Sequence, residues 1–217
     1  MKLQTTALPE YLVSDPVVDW SNRSVSAKAH EITAELPDDV AKARALFEWV
    51  RDEIPHSTDI DADVVTCSAS QVLQAGTGIC FAKSHLLAAL LRATGIPAGF
   101  CYQVLRREPP LEGLVLHGLN GVFLASLGKW IRLDPRGNIG GIDAQFGVEV
   151  EQLAFPMDPA SGEFIYDTVF AAPAPEVFQA LTSFSNRTQM WPHLPQRLND
   201  DGVNISRRST PMQSPSR

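Results

Sequence analysis

Three residues of this chain have the types and the order that nucleophilic catalysis needs. Cys80 lies in Gly76–Gly99 (GTGICFAKSHLLAALLRATGIPAG), His117 in LVLHGLNG, and Asp134 in KWIRLDP. A thiol at the start of a helix meets unpaired backbone N–H groups and the positive end of the helix dipole, both of which favour thiolate. Such placement, beside a cation or a histidine, lowers a cysteine pKa from about 8.5 into the range of roughly 3.5–7.5. An imidazole on a neighbouring strand can take the thiol proton and later return it to a leaving group. A carboxylate ending the next strand can accept the ring's Nδ1–H and fix the useful tautomer. Each residue alone also has a plain reading: a small packed thiol, a structural histidine, a turn aspartate before proline.

For these three to meet, the elements around them must be a helix followed by strands. The run from Cys80 to Thr94 reads as a helix that Gly95 and Pro97 close. Leu86, Leu87, Leu90 and Leu91 lie on one side and Ala82, Ala89 and Ala93 beside them, which predicts a central, buried helix. After Pro97, AGFCYQVLR, VLHGLNGVFLA and KWIRLDP are short β-branched and aromatic runs parted by turn signals, as antiparallel strands are. Upstream, VAKARALFEWVRDEI carries Val40, Ala43, Leu46, Phe47, Val50 and Ile54 at helical spacing, with Asp38 or Asp39 as its cap. A mixed helix near Val25–Leu36 precedes it, and SASQVLQAG reads as a short helix with a serine cap and a glycine stop. Helices first and strands second predict an α+β domain.

GTGICFAKSHLLAALLRATGIPAG, LHGLNGVFL and GKWIRLDPRGN together resemble the core of the transglutaminase-like superfamily of papain-like thiol enzymes, over about residues 40–140. The resemblance implies a papain-like/transglutaminase-like core, with a central nucleophile helix packed on an antiparallel sheet. It also implies Cys80 as nucleophile, His117 as general base and acid, and Asp134 as the residue that orients His117. Two positions depart from the common pattern: Leu119 stands where an aromatic is frequent, and Gly99 where an arginine is.

Other residues near these motifs carry weaker signals. The backbone N–H of Cys80 is a candidate oxyanion donor, and Gln74 a second, against a plain surface glutamine. Lys83, one turn from Cys80, is expected to be exposed, and His85 to be a packed or hydrogen-bonded ring. Cys80, His85, His117 and Asp134 could in principle collect around zinc, but no pair has the short spacing of structural zinc sites, so no metal and no cofactor is expected.

The chain has 217 residues, 44% of them hydrophobic, a formal charge of −7 and three cysteines without CxxC spacing. The charge argues against nucleic-acid and anionic-membrane partners, and no run approaches the length of a membrane helix. An odd set of thiols and no apolar leader predict a cytoplasmic protein with free cysteines. The chain divides into an irregular arm over 1–22, the catalytic core over 23–140, an extension over 141–198 packed on the core, and a disordered tail over 199–217. The activity expected is acyl transfer on an amide bond of a peptide, protein or small molecule, with hydrolysis (peptidase or amidase) ahead of protein crosslinking. The alternative is a non-catalytic binding module on the same fold. Oligomeric state and substrate identity are not encoded in any motif.

Overall fold

A computed structural model describes residues 1–107 and 110–199. The first helices are α1 (Arg23–Thr33), α2 (Asp39–Glu53) and α3 (Ala69–Ala75), which lead to α4 (Cys80–Ala93). Their starts follow the capping signals. Asn22, Asp38 and Ser68 each accept a backbone N–H from the first turn, and Ser68 forms a reciprocal capping box with Gln71. Gly76 ends α3 at φ +65°, a left-handed conformation that favours glycine. α1 begins two residues earlier than the sequence suggested and ends at Thr33 rather than Leu36, because Asn22 supplies the cap.

The strands are β1 (Lys2–Leu3), β2 (Ala98–Arg106), β3 (Leu114–Leu124), β4 (Lys129–Leu133), β5 (Phe164–Ile165) and β6 (Thr168–Val169), and the last helices are α5 (Pro175–Thr182) and α6 (Arg187–Met190). The main sheet has the order β4-β3-β2-β5, all antiparallel. β1 pairs in parallel with β6, so the arm expected to be irregular contributes a strand. The tail expected to be disordered lies, beyond Asn199, outside the described residues.

α4 is the centre of the molecule, with α1, α2 and α3 on one side and β2 and β3 on the other. Its residues from Phe81 to Arg92 are all buried, as an all-round apolar helix must be. The polar side chains it takes inside are paired: Arg92 donates to the carbonyls of Ala98, Val13 and Ala171, and His85 Nδ1 lies 2.8 Å from the Cys67 carbonyl. The opposite face of the sheet packs Cys101 and Leu119 on Tyr11, Ile165 and Val169. Gly99 is explained here. A Cβ at this position would lie 2.4 Å from the Phe170 carbonyl, so the arginine frequent in the family has no room.

Candidate active site

The site forms where β4 stops. Leu133, opposite Asn120, is the last paired residue of β4, which leaves the edge of β3 uncovered from Leu119 back to Leu114. Tyr102 gives its carbonyl to Tyr166 N–H, turning the polar groups of β2 toward β5 at this point. Its partner Gly118 therefore points its N–H away from β2, at the open edge. Two things meet that edge. Pro195 accepts the Leu116 N–H at 2.7 Å, and the Cys80 sulfur comes near enough for the Gly118 N–H to favour its anion. α4 can come this close because residue 118 is glycine: a Cβ there would sit 2.6 Å from Cδ1 of Phe81.

The sulfur thus lies against the main chain beside His117, close enough for each side chain to shift the other's pKa. On its other side, His117 Nε2 lies 2.8 Å from Asp134 Oδ2. This corrects the expected sense of the ring. Asp134 takes Nε2–H, and Nδ1, the nitrogen nearer the backbone, is left for a sulfur that itself lies near the backbone. Asp134 is 1% exposed and also accepts the N–H of Arg136 and of Ala154, each at 3.1 Å, so its carboxylate is satisfied and aimed. Phe155 packs edge-on to the His117 ring at 5.0 Å, shielding it from water.

Electrostatics favour an ion pair. Burial alone would push the Cys80 thiol up, but the His117 charge, its hydrogen bond and the Gly118 N–H outweigh burial and lower the pKa. Burial works against the His117 imidazolium too. The charges of Asp134 and Cys80, with their hydrogen bonds, override it and raise the pKa. Each group thus favours the charged form of the other. Cys80 is half-buried, while Cys67 and Cys101 are buried thiols that burial pushes up to about 11.

Of the other expected residues, the structure overturns one and turns another, His85, to a different face of α4 from Cys80. Lys83 is not exposed but fully buried. Its ammonium donates to the carbonyls of Arg51, Ile54 and Arg136, pinning the end of α2 and the loop after Asp134 to α4. The three carbonyls match the three N–H donors of an ammonium, and burial pulls the Lys83 pKa down to about 7. Gln74 is exposed on α3 and takes part in none of the site's hydrogen bonds among the described residues. His85, five residues after Cys80, lies about 140° around the helix from it. Its ring packs on Phe100.

Three neighbours carried no signal in sequence. His56, 3% exposed in the loop after α2, forms a bridge with Gly78 and packs on Trp191. Arg136 makes a two-pronged bond to Asp59 at 2.5 and 2.8 Å, joining the His56 loop to the Asp134 loop. Gln103, opposite His117 on β2, donates to the Phe155 carbonyl at 3.0 Å. Beyond Phe155 an open cleft of about 760 Å³ runs past Gln103, Arg132, Glu151 and Met157, on the Asp134 side of the group and not over the sulfur.

No curated protein matches the sequence. Among solved structures the chain is similar to a candidate cysteine protease from Cytophaga hutchinsonii. They are 18% identical with a TM-score of 0.50, over 61% of this chain and 43% of that one. It is also similar to a candidate protease from Parabacteroides distasonis ATCC 8503, 15% identical with a TM-score of 0.39, over 69% of this chain and 30% of that one. The chain thus spans less than half the length of either. The model of the transglutaminase-like superfamily core matches residues 26–135, half of the chain, and that stretch contains the α4 start, the β3 edge and the end of β4 just described. By this match, the chain belongs to the transglutaminase-like superfamily.

Proposed function

We propose that the protein is a thiol-dependent acyl-transfer enzyme acting on amide bonds of a peptide, protein or small amide. In this reading Cys80 is the nucleophile, His117 the general acid and base, and Asp134 its orienter. One observation carries the reading: buried His117 is bonded to Asp134 at 2.8 Å and lies near enough to the Cys80 sulfur for each to shift the other's pKa. A buried thiol with only a packing role has no use for this arrangement, which stabilises its anion.

The thiolate attacks the carbonyl carbon, a C–S bond forms and the carbonyl π pair moves onto oxygen. Collapse expels the amine, which takes the His117 proton, and a thioester remains. Water, deprotonated by His117, then releases the acid. Water needs no dedicated acceptor subsite and an amine does, so hydrolysis is proposed ahead of crosslinking. The similarly folded Cytophaga hutchinsonii protein is described as a candidate cysteine protease, which is in keeping with this order. No described helix is long and apolar enough to cross a membrane. Three free thiols suit a reducing compartment, and the cytoplasm is the proposed location.

The test is alkylation of Cys80 by iodoacetamide as a function of pH, beside turnover of a peptide-amide library. The expected midpoint lies below the ~8.5 of a free cysteine and moves up in His117→Ala. Turnover should vanish in Cys80→Ala. A free-thiol profile that His117→Ala leaves unchanged would show a non-catalytic module instead.

A further inference from the structure

The chemistry above leaves His56 without a task, although its backbone pairs with the loop that leads into Cys80. Its backbone bridges Gly78, two residues before Cys80, and Ser57 N–H donates to the Gly78 carbonyl at 3.2 Å. His56 is therefore anchored against the loop that delivers the sulfur. Its tautomer is set locally. Nδ1 accepts the Thr58 backbone N–H at 3.3 Å and lies 2.7 Å from the Thr58 hydroxyl. A backbone N–H can only donate, so in the neutral ring the proton sits on Nε2. Burial, with the charges of Arg136, Lys83, His117 and Arg187 around it, keeps the ring neutral by pulling its pKa well below 6.5. Among the described residues Nε2 has no hydrogen-bond partner. Nor is it among the fully enclosed, unpartnered atoms. The little of His56 that is exposed therefore includes an idle N–H donor, close enough to His117 for the two charges to be coupled.

A thiol acyltransferase needs such a donor. The N–H of Cys80, first residue of α4, has no capping side chain and is available as one oxyanion donor. Gln74, the side chain that sequence suggested as its companion, is exposed on α3. We propose that His56 Nε2–H is the second donor, accepting no proton but hydrogen-bonding the carbonyl oxygen as it becomes an oxyanion. A neutral imidazole suits this task, because it stabilises negative charge without competing with His117 to protonate the leaving group.

This inference rests on the acyl-transfer reading, and the experiment separates the two. Acylation of Cys80 by p-nitrophenyl acetate passes through an oxyanion: the sulfur pair forms the C–S bond, the π pair moves to oxygen, and p-nitrophenolate leaves as an anion. Alkylation by iodoacetamide displaces iodide and forms no oxyanion. In His56→Phe, acylation should fall about 10²- to 10³-fold while alkylation stays within about twofold of wild type. His56→Gln, which keeps an N–H donor, should recover at least about tenfold of that loss. In the wild-type protein with ¹⁵N-labelled histidine, the aldehyde N-acetylglycinal, captured by Cys80 as a hemithioacetal, should shift the His56 Nε2–H resonance. A His56→Phe protein that acylates at the wild-type rate overturns the role of His56 alone, as does a resonance unmoved in the adduct. A wild-type Cys80 that alkylates but is never acylated overturns the acyl-transfer reading, and this inference with it.

Discussion

Gly118→Ala tests whether the close approach of α4 to β3 is what prepares the thiol. The added Cβ would lie 2.6 Å from Phe81 Cδ1 and 3.4 Å from Phe81 Cα. Carbon atoms rest about 3.5–4.0 Å apart, so the ring must retreat by roughly an ångström. Phe81 is 1% exposed and its ring faces Tyr102 at 6.5 Å, so it cannot swing into empty space. Overpacking of this kind costs about 1–3 kcal/mol. In a chain of this size the melting temperature should fall by roughly 2–12 °C. Phe81 follows Cys80 directly, so α4 carries the sulfur away from the Gly118 N–H and from His117. A hydrogen bond to an ion contributes about 1.5–3 kcal/mol, and one pKa unit is about 1.4 kcal/mol, so losing it raises the alkylation midpoint by roughly one to two pH units. The control is Gly121→Ala, whose Cβ would lie 2.6 Å from Val169 Cγ1 on the other face of β3. It should lose comparable stability and keep the wild-type midpoint. The assays are thermal melts by circular dichroism and iodoacetamide labelling from pH 4 to 10. Equal midpoints in the two variants, with equal loss of stability, would refute the claim that this contact tunes the sulfur.

Asp134→Asn should keep the fold and the nucleophile, lower turnover of an amide substrate about 10- to 1,000-fold, and, by removing the charge that raises His117, bring the alkaline limb of activity to lower pH. The sign follows from the two groups: thiolate forms above a lowered Cys80 pKa and imidazolium is lost above a raised His117 pKa, so the wild-type amidase profile is a plateau between them, read from a pH series. Lys83→Met strands the carbonyls of Arg51, Ile54 and Arg136 and should cost about 3 kcal/mol or more in urea denaturation, whereas a surface lysine would cost almost nothing. Asp59→Asn weakens the two-pronged bond to Arg136 and should cost about 1–3 kcal/mol, with faster hydrogen exchange at Arg136, whose N–H is held by Asp134.

The parts of the fold that sequence revealed are those with a local period or a local cap. The all-apolar run after Cys80, the serine and aspartate caps, and the alternating runs before and after LHGLNG state their own structures. The order of one helix and then successive antiparallel strands brings Cys80, His117 and Asp134 within reach, because β3 and β4 are neighbours and α4 packs on β3. β5 and β6 are two residues each, too short for any period, and they exist because β2 and the N-terminal arm offer edges to pair with.

What sequence could not show is set by residues distant along the chain. Lys83 reads as a surface lysine until three carbonyls, two at the end of α2 and one after β4, converge on its ammonium. The sense of the His117 ring depends on where β4 ends: one residue past Leu133, Asp134 reaches the outer nitrogen, while the vacated edge gives Gly118 N–H, and with it the sulfur, to the inner side. His56 lies after a helix-breaking proline in a stretch of Ser, Thr and Asp, the texture of a solvated loop. Only folding buries it, the main cause of its lowered pKa, and brings Arg136, Lys83, His117 and Arg187 near enough to push the same way. The positive field that lowers the Cys80 pKa and the one that keeps His56 uncharged share His117 as a source. The same charge that favours the Cys80 anion therefore favours the neutral form of His56, with its proton on Nε2.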